Sequence, residues 1–445
     1  MKINVIGTGY VGLVSGVCMA AKGHSVKCFD TNQETIQTLK SGKCHFYEKG
    51  LEKLFVEYSD NLSFELLDAS SEHNLLDCQV ILMAVGTPTV NEKIDLSQIK
   101  TASRNIGKLI KNHDKFISVI VKSTVVPGTT DTVVKNILEE SSGKKIGEFG
   151  LGMNPEFLRE GNAVEDFMNP DRIVFGYEDK ITLEYLHEIY SPWDVDKIIV
   201  NTRSAEMIKY VNNSLLATQI STINEYSNIA KTIGNIDFSS VMNAVHLDKR
   251  WSPFDKITGK RVYPEIINYL KPGCGFGGSC FPKDVMALAA LSKEIGIKPL
   301  ILDSVIKVNQ LQPKVILEYL EEKVGSLKHK NILVLGLAFK PETDDVRESV
   351  SIKIMEYLNT QRCNITAHDP ISIENAKKII DFDVNYVSDW KKELSNNDII
   401  IISTNWDEYL ELKDLDNILD DKILFDTRSL FNKKEFSNIN YININ

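Results

Sequence analysis

The first thirty residues constrain the fold most strongly. An apolar segment, KINVIG, runs directly into the glycine-rich GTGYVG, and an apolar stretch up to Gly23 is followed by HSVKCFD. This order predicts a buried strand, a tight loop, a helix and a second strand. Strands that are joined through a helix run parallel, and a parallel sheet is usually covered on both faces. The sequence therefore predicts an α/β fold with a doubly wound sheet.

The glycines of this segment have the spacing of a dinucleotide-binding loop. Gly7, Gly9 and Gly12 form G-x-G-x-x-G, and Asp30 lies 18 residues beyond Gly12 at the end of the second predicted strand. In such loops the glycines permit the turn, the approach of a pyrophosphate and close helix–strand packing. A carboxylate at Asp30 accepts hydrogen bonds from ribose hydroxyls and repels a 2′-phosphate. The pattern predicts NAD rather than NADP; FAD, or a glycine-rich turn without a cofactor, are the alternatives.

The remainder of the chain predicts two further parts. A helical stretch without proline runs from Ser204, a predicted N-cap, to Gly234, a predicted stop, and helical sequence continues to about residue 325. The strand pattern then restarts at NILVLGLAF and recurs in NITAHDP, DIIIISTNW and KILFDTRSL. We therefore expect an NAD-binding domain over residues 1–202, a helical region with the cysteine loop over 203–325, and a second α/β domain over 326–445.

Charge and cysteine content limit the classes of partner. The formal net charge is −10, which argues against a nucleic-acid-binding face. No apolar stretch has the length of a membrane span, and the N-terminal segment does not have the pattern of a signal peptide. The seven cysteines are scattered, with no CxxC pair. We therefore expect a cytoplasmic protein without membrane, nucleic acid or metal.

One cysteine is surrounded by glycines. In GCGFGGSCFPKD, residues 273–284, glycines precede Cys280, and Lys283 and Asp284 follow it. A reachable thiol becomes a nucleophile when it is ionised, and a nearby cation favours that state. Asp284 supplies a carboxylate that can hold a water. With a nicotinamide cofactor, such a cysteine can oxidise an aldehyde through a thiohemiacetal and a thioester. Cys274 is better explained as a small buried apolar residue.

Four further groups of polar residues are candidates for a ligand site. Each lies just after a predicted strand or has the spacing of one helix face. Glu156 and Glu160 would share a face if they lay on a helix. The groups are Ser123 with Thr124, Glu156 with Glu160, Lys209 with Asn213, and Lys340 with Arg347. For the last three groups the alternatives are a solvated acidic pair, an exposed polar stripe and a surface ion-pair cluster, respectively.

Together these motifs resemble the UDP-glucose/GDP-mannose dehydrogenase family. The shared segments cover essentially the whole chain in order, and the cysteine motif and NPEFLREG are highly specific. The resemblance implies two Rossmann-like domains, each a doubly wound parallel sheet, which are joined by a long central helix and a helical dimerisation region in a homodimer. The segments are GTGYVG, AVGTP, KSTVVPGTT, NPEFLREGNAVEDFMNPDRIVFG, GFGGSCFPKD and FKPETDDVRES.

The resemblance also implies an activity. A nucleotide sugar is oxidised at C6 from the alcohol through the aldehyde to the carboxylate, with two NAD consumed per sugar. UDP-glucose is the favoured substrate and UDP-glucuronate, used in polysaccharide biosynthesis, the product; GDP-mannose and UDP-N-acetylhexosamines are the alternatives. A single-step hydroxy-acid or phosphogluconate dehydrogenase and an inactive nucleotide-sugar binding protein are the alternatives from other classes.

The roles that the resemblance implies fall into three groups. In the catalytic group, Cys280 is the nucleophile, and the other members handle protons, position the hydrolytic water or line the sugar site. That group is Cys280, Lys209, Asp284, Glu156, Thr124 and Asn213. The implied cofactor contacts are Gly7, Gly9, Tyr10, Val11, Gly12, Asp30, Thr87, Thr124, Glu160, Lys283 and Arg347. The implied substrate contacts are Glu156, Phe157, Leu158, Arg159, Glu160, Lys209, Asn213, Tyr269, Leu270, Lys271, Pro272, Gly273, Gly277 and Lys340.

The chain departs from the family pattern at three places. Thr35 stands where the family usually has a lysine after the ribose aspartate, and YEKGL replaces the usual Tyr-Glu-Pro-Gly-Leu. The segment before the cysteine loop carries about a dozen extra residues around 251–264. Either Arg250 or Arg261 is the arginine that a partner subunit lends to the sugar site, and the sequence does not choose between them.

Overall fold

The chain divides into two units. The computed structural model describes residues 1–68, 72–90 and 92–444. Unit 1 is Met1–Asn212 and unit 2 is Asn213–Asn445.

Unit 1 alternates strands with helices, as the N-terminal pattern predicts. Its described strands are β1 (Lys2–Ile6), β2 (Ser25–Asp30), β3 (Leu62–Leu66), β4 (Val80–Met83), β5 (Thr89–Val90), β6 (Lys93–Ile94), β7 (Ser118–Val121), β8 (Gly150–Met153), β9 (Ile173–Tyr177) and β10 (Lys197–Val200). Its helices are α1 (Tyr10–Ala21), α2 (Gln33–Lys40), α3 (Leu51–Glu57), α4 (Ser97–Ile110), α5 (Lys135–Ser142), α6 (Ala163–Met168), α7 (Lys180–Ile189) and the start of α8 (Thr202–Ile233). The helices Ser59–Asn61 and Glu72–Leu76 are 3-10 helices, and Thr129–Val134 is a π-helix.

The main sheet of unit 1 has the strand order β10-β9-β8-β7-β4-β1-β2-β3. From β3 to β8 all neighbours run parallel, in the 3-2-1-4-5-6 arrangement of dinucleotide-binding sheets. Every side chain of β4 and β7 is buried, because helices cover both faces. The doubly wound fold that the N-terminal pattern predicts is confirmed.

The last two strands of this sheet, β9 and β10, run in the direction opposite to the other six, whereas strands joined through helices are expected to be parallel throughout. RIVFG becomes β9, which is antiparallel to β8, with Met153 opposite Gly176. A parallel neighbour needs a crossover that carries the chain back along the sheet. Here the chain turns at the carboxyl end of β8 through an irregular loop and the short α6, so β9 enters the sheet from that same end.

Unit 2 begins within α8 and ends in a second sheet. Its helices are α9 (Phe238–His246), α10 (Phe281–Glu294), α11 (Leu300–Val324), α12 (Val350–Thr360) and α13 (Ile373–Lys377). Its strands are β11 (Asn331–Leu335), β12 (Asn364–His368), β13 (Asn385–Tyr386), β14 (Ile399–Ile402), β15 (Ile423–Asp426) and β16 (Asn440–Asn443). Its 3-10 helices are Glu265–Leu270, Trp390–Glu393, Asp407–Ile418 and Lys433–Glu435.

The sheet of unit 2 repeats the order of the six parallel strands of unit 1, without the two further strands β9 and β10. Its order is β13-β12-β11-β14-β15-β16, and every pair is parallel. Gly336 follows β11 with φ +93° and its amide donates to His368, as Gly7 with φ +92° donates to Phe29. In the second sheet the acidic residue at the end of β12, Asp369, is buried and accepts from the amides of the turn. The prediction of a second α/β domain is confirmed.

The N-cap of the long helix α8 lies three residues before the predicted one. Thr202 is its first residue, and the Asn201 side chain accepts a hydrogen bond from the Ser204 amide at 2.8 Å. Asparagine and serine cap helices about equally well, and β10 ends at Val200, so the helix starts as soon as the strand stops. Gly234, with φ +78°, follows its last residue as predicted.

In the described part of the chain, α8 included, no helix has the combination of length and apolarity that a membrane crossing needs.

Candidate active site

The glycine-rich loop of unit 1 leaves the first turn of α1 open. Gly7 has φ +92°, and a Cβ on Gly12 would stand 1.9 Å from the Gly7 carbonyl oxygen, so these two glycines are required by the fold itself. A Cβ on Gly9, the N-cap of α1, would meet nothing within 4 Å. The amides at a helix N-terminus attract phosphate groups. The loop therefore has the open surface that a dinucleotide diphosphate needs.

The carboxylate of Asp30 is held against this loop. Its Oδ2 accepts hydrogen bonds from the Thr8 amide at 2.7 Å and from the Thr8 hydroxyl at 2.8 Å. Its Oδ1 accepts from the Asn32 amide at 2.9 Å. Asp30 thus stands beside the glycine loop at the carboxyl end of β2, where a ribose hydroxyl is expected.

Glu48, which sequence analysis missed, connects two segments of unit 1. Its buried carboxylate accepts from the Tyr10 hydroxyl at 2.5 Å and from the amides of Gly161 and Ala163 at 2.6 and 2.8 Å. Burial and the Glu48 hydrogen bond raise the pKa of Tyr10. Glu48 lies in YEKGL, whose departure from the family pattern is Lys49 in place of a proline. It ties the first residue of α1 to the end of NPEFLREG.

The NPEFLREG segment is a loop and not a helix. Residues 154–162 follow β8 without helical structure, so Glu156 and Glu160 do not share a helix face. Pro155 cannot donate to a helix, and the side chain of Glu156 bonds the Leu158 amide at 2.6 Å. Both glutamates are nevertheless buried, at the carboxyl end of the strand where ligands bind in such sheets.

Glu156 forms a buried ion pair with Lys209. The Lys209 ammonium donates to Glu156 Oε1 at 2.9 Å, and both side chains are about 5% exposed. The Thr124 hydroxyl lies 3.5 Å from the same oxygen, at the limit of a hydrogen bond. Burial acts to raise the pKa of Glu156, but the charge and hydrogen bond of Lys209 outweigh it, so the pKa lies below the ordinary value. The carboxylate is therefore ionised and can orient a polar molecule.

A second lysine, Lys122, is buried near this pair and was not predicted. Its ammonium donates to Asn154 Oδ1 at 2.8 Å and approaches the Tyr190 hydroxyl at 3.4 Å. Burial lowers the pKa of Lys122 to about 8, partly opposed by the charge of Glu156. Lys122 directly precedes Ser123 and Thr124 in the motif KSTVVPGTT, so its place in that motif could have indicated a role at the site.

The other predicted residues of unit 1 occupy varied positions. The Thr87 hydroxyl donates to the Thr124 carbonyl at 2.8 Å, which joins AVGTP to KSTVVPGTT. The Arg159 side chain is paired with Asp166, and the ring of Phe157 lies under the Arg172 guanidinium at 4.2 Å. The apolar Val11 and Leu158 pack in the core of unit 1.

In unit 2, Cys280 stands at the N-terminus of α10. It is the N-cap of that helix, is half-buried, and its sulfur lies 3.6 Å from the Ser279 hydroxyl. The helix dipole favours negative charge at this end, and thiols at helix N-termini ionise more readily. The position suits a nucleophilic thiolate.

Asp284 lies in the first turn of the same helix and is fully buried. Its Oδ1 accepts from the Lys283 ammonium at 2.7 Å and its Oδ2 accepts from the Asn213 side-chain amide at 2.7 Å. The Asp284 amide donates to the Cys280 carbonyl at 2.9 Å. The carboxylate thus orients both neighbours beside the turn that carries the thiol.

The glycines before Cys280 lie against the loop that follows β11. A Cβ on Gly277 would stand 2.2 Å from the Glu348 carbonyl oxygen, and one on Gly278 would stand 2.6 Å from the Phe339 ring. The Gly278 amide donates to the Arg347 carbonyl at 3.1 Å. Close packing within unit 2 therefore requires these glycines, independently of any substrate.

Three consecutive segments of the chain match one set of protein-family models. Residues 1–194 match the NAD binding domain of the UDP-glucose/GDP-mannose dehydrogenase family, residues 203–311 its central domain, and residues 333–433 its UDP binding domain. The chain belongs to the UDP-glucose/GDP-mannose dehydrogenase family. The resemblance deduced from the motifs is confirmed, and the first match confirms NAD as the cofactor.

Individual members of the family are similar over their whole length. A UDP-glucose 6-dehydrogenase of Haloferax volcanii, AglM, is 36% identical, with 98% of each chain covered. The Bacillus subtilis enzyme TuaD, also a UDP-glucose 6-dehydrogenase, is 37% identical over 99% of this chain and 92% of its own. The structure of a UDP-glucose dehydrogenase from Pyrobaculum islandicum matches with a TM-score of 0.87 at 36% identity, covering 98% of this chain and 96% of the other.

Two cations in the UDP binding domain of this family member have different surroundings. Arg347 pairs with Asp345 through two hydrogen bonds of 2.9 and 2.8 Å, which is the ion pair weighed as an alternative to ligand binding. The Lys340 ammonium lies 5.7 Å from the ring centre of Phe339, next to the cysteine loop.

Part of the predicted substrate loop ahead of the cysteine, residues 269–273, is buried in the interior of unit 2. Tyr269 and Leu270 end a 3-10 helix, and Leu270 is buried against Phe238 and Met242. The Lys271 ammonium lies 3.3 Å from Asn268 Oδ1. Pro272 is buried, and the Gly273 amide donates to Asn224 at 2.8 Å.

The extra segment forms a small hairpin that uses Arg261. Phe254 and Arg261 form an antiparallel bridge, and the Arg261 guanidinium donates to the carbonyls of Leu247 and Ser252 at 2.7 and 2.8 Å. Arg250 instead pairs with Asp248, and its side chain is 83% exposed. Arg261 is therefore committed to its own hairpin, whereas Arg250 is at the surface.

Proposed function

We propose that this chain oxidises UDP-glucose to UDP-glucuronate, with two NAD and one water consumed per sugar. The observation that carries the proposal is the thiol of Cys280 at the N-terminus of α10, one turn before the buried Asp284, in a chain with NAD and UDP binding domains. The names of the full-length relatives AglM and TuaD support UDP-glucose as the sugar.

The loop from Gly7 to Gly12 and the carboxylate of Asp30 would hold NAD, since Gly9 leaves α1 open at its N-terminus. Bound there, NAD supplies a hydride acceptor. The residues that orient the sugar, Asn213 and Lys209, lie one turn apart on α8. Each is held by a buried carboxylate, Asp284 and Glu156 respectively.

In the first oxidation the C6 hydroxyl loses its proton as a hydride leaves the carbon, which gives the aldehyde. We assign the acceptance of this proton, directly or through a water, to the Asp284 carboxylate, and the stabilisation of the alkoxide to the Lys209 ammonium. Preorganised charges in a buried site can stabilise an alkoxide without the cost of reorienting water. The pairing of Lys209 with an ionised Glu156 keeps its ammonium in place for this task.

In the second oxidation the Cys280 thiolate adds to C6 of the aldehyde, and the oxyanion formed takes up a proton to give a thiohemiacetal. Loss of a second hydride together with that proton leaves a thioester at the sulfur. A water then attacks the carbonyl carbon, the carbon–sulfur bond breaks, and the carboxylate, the thiolate and two protons are released. We assign the placement of that water to Glu156 and Thr124, whose oxygens lie 3.5 Å apart.

The decisive experiment counts NADH per sugar at completion. Limiting UDP-glucose, GDP-mannose and UDP-N-acetylglucosamine are each incubated with the enzyme and excess NAD. We expect two NADH per UDP-glucose and a negligible yield from the other two. Two NADH from GDP-mannose alone would replace the substrate, and one NADH from any sugar would contradict the thioester step.

We further propose a homodimer in which Arg250 serves the neighbouring subunit. Large apolar side chains are exposed on α8 and α9, among them Tyr226, Ile229, Ile233 and Val241. Exposed apolar patches of this kind are typical of protein–protein contacts. Arg250 is at the surface, whereas Arg261 holds the hairpin together.

A further inference from the structure

We propose that Asn309 is a positioning residue for the thiol of Cys280. It lies on α11, is buried, and holds the backbone of the loop that leads to the cysteine. The proposal rests on the proposed function, because it gives Asn309 a part in the chemistry of Cys280.

Asn309 pairs with both backbone groups of one residue, Phe276. Its Oδ1 accepts from the Phe276 amide at 2.8 Å, and its Nδ2 donates to the Phe276 carbonyl at 2.9 Å. The Asn309 side-chain amide thus pairs with the Phe276 backbone as a neighbouring β-strand would. It fixes the orientation of the backbone four residues before Cys280. Loss of this side chain would leave the amide and the carbonyl of Phe276 without a partner. The free-energy cost of such unsatisfied buried groups exceeds the net stabilisation that the hydrogen bonds provide.

The contact with Asn309 explains why residue 275 is a glycine. Its φ is +102°, and a Cβ there would stand 2.6 Å from Asn309 Oδ1. Any other residue would be strained and would push the amide away from Phe276. The glycine therefore serves the contact with Asn309, which the sequence motif alone does not reveal.

Neighbouring amides hold the start of the same loop. The Gln312 side chain donates to the Gly273 carbonyl at 2.8 Å, and Asn224 accepts from the Gly273 amide at 2.8 Å. The far end of the loop is fixed where Gly277 and Gly278 lie against the segment after β11. Asn309 fixes the middle, so the path from Gly273 to Cys280 has little freedom. A nucleophile misplaced by about 1 Å can lose on the order of 100-fold in rate.

The test uses the full-length protein with two substitutions and a control. Asn309→Leu keeps the branched shape of the side chain but removes both hydrogen bonds. Asn309→Asp keeps the acceptor for the Phe276 amide and places a repelling oxygen against the Phe276 carbonyl. The control is Gln310→Leu, because Gln310 is the next residue of α11 and is exposed.

Three readouts are measured on each variant. They are hydrogen exchange of the peptide 273–280 against a peptide of β11, the alkylation rate of Cys280 by iodoacetamide against that of Cys44, and kcat and KM with UDP-glucose and NAD. For Asn309→Leu we expect faster exchange confined to 273–280, alkylation of Cys280 faster by about threefold, and kcat lower by about 10- to 100-fold with the KM for NAD unchanged. Asn309→Asp should fall between Asn309→Leu and the wild type, and Gln310→Leu should match the wild type.

The proposal is overturned if folded Asn309→Leu has wild-type exchange, alkylation and kcat. It is equally overturned if exchange rises throughout unit 2, since that would indicate a packing role without specificity for the loop. If Asn309→Leu does not fold, Asn309→Asp carries the same criteria. A wild-type enzyme that forms no NADH from UDP-glucose would contradict the proposed function, while exchange and alkylation would still decide the role of Asn309 in the loop.

Discussion

At the scale of single residues, burial gives the charged groups of this chain their properties. Glu156 keeps its charge out of water because Lys209 pairs with it, and Lys122 contributes further positive charge nearby. Removing one partner of such a pair leaves an uncompensated buried charge, which is strongly unfavourable. Cys280 differs, since it is half-buried and stands at a helix N-terminus. Accessibility and local charge, more than residue type, separate the reactive groups from the structural ones.

The role of Cys280 is tested by Cys280→Ala. Without the thiol no thioester can form, so we expect the second oxidation to slow by roughly 10³-fold or more, and the yield to fall to at most about one NADH per UDP-glucose. NADH absorbance at completion and mass spectrometry of the sugar measure this. Cys44→Ala, at another half-buried cysteine, should keep two NADH. Two NADH from Cys280→Ala would remove the cysteine from the mechanism.

The burial of Lys122 predicts a pH dependence of stability. Its pKa is lowered from 10.5 to about 8, so below pH 8 it is charged in the folded and the unfolded state and the burial cost is fully present. Between pH 8 and 10.5 the unfolded state binds more protons, so the free energy of unfolding should rise, by about 3 kcal/mol in all. Lys122→Met should lack this rise in urea unfolding at pH 7, 9 and 10.

The control for this measurement is Lys108→Met, because Lys108 is an exposed lysine of the same unit. It should follow the wild-type pH dependence. The same pH dependence in Lys122→Met and the wild type would show that the buried ammonium keeps its ordinary pKa.

At the scale of elements, glycine is used for two purposes that the spacing pattern does not separate. Some glycines are required because another part of the backbone occupies the space of a side chain, as at Gly12 and Gly277. Gly9 has open space where a Cβ would be, so packing within the protein does not require a glycine there. We propose that this open space serves the incoming cofactor, so that the same residue type supports the fold at one position and binding at another.

Two alanine substitutions in the glycine loop distinguish these purposes. Gly12→Ala places a Cβ 1.9 Å from the Gly7 carbonyl, so it should destabilise the protein by about 2 kcal/mol or more and lower its melting temperature. Gly9→Ala should leave the melting temperature unchanged and weaken NADH binding by tenfold or more, about 1.4 kcal/mol. Thermal unfolding and NADH fluorescence titration measure the two effects. An unaltered affinity in Gly9→Ala would argue against the close approach of the cofactor at that position.

At the scale of the whole molecule, six parallel strands of each sheet follow the same order, and the two sheets differ in the burial of the acidic residue at the end of the second strand. Asp30 and Asp369 both accept from an amide of the turn that follows the first strand of their sheet. Asp30 is half-buried beside the open N-terminus of α1, whereas Asp369 is buried. The more exposed carboxylate lies in the segment that matches the NAD binding domain, and the buried one lies in the segment that matches the UDP binding domain.

The proposed homodimer is tested by charge on α8. Ile229 and Ile233 lie one turn apart and are 50% and 69% exposed. The double substitution to lysine should leave each chain folded but convert a particle of twice 50.2 kDa into one of 50.2 kDa in analytical ultracentrifugation. Exposed Lys111 and Lys115 of unit 1, changed to Ala together, are the control and should leave the dimer intact. A double variant that stays dimeric would place the contact elsewhere.

The sequence by itself determined the elements and the chemistry of the motifs. The glycine spacing, the apolar strands and the restart at NILVLGLAF predicted both sheets, because short apolar runs and glycine turns encode local structure. The antiparallel β9, the loop form of NPEFLREG and the cap at Asn201 were not predicted, since each depends on where the preceding strand ends. Only the tertiary structure brought Glu48 to Tyr10, Lys122 to Asn154 and Asn309 to Phe276. These contacts join residues that are far apart in the chain. The residues around each polar side chain in the sequence do not indicate which distant residue will be its buried partner.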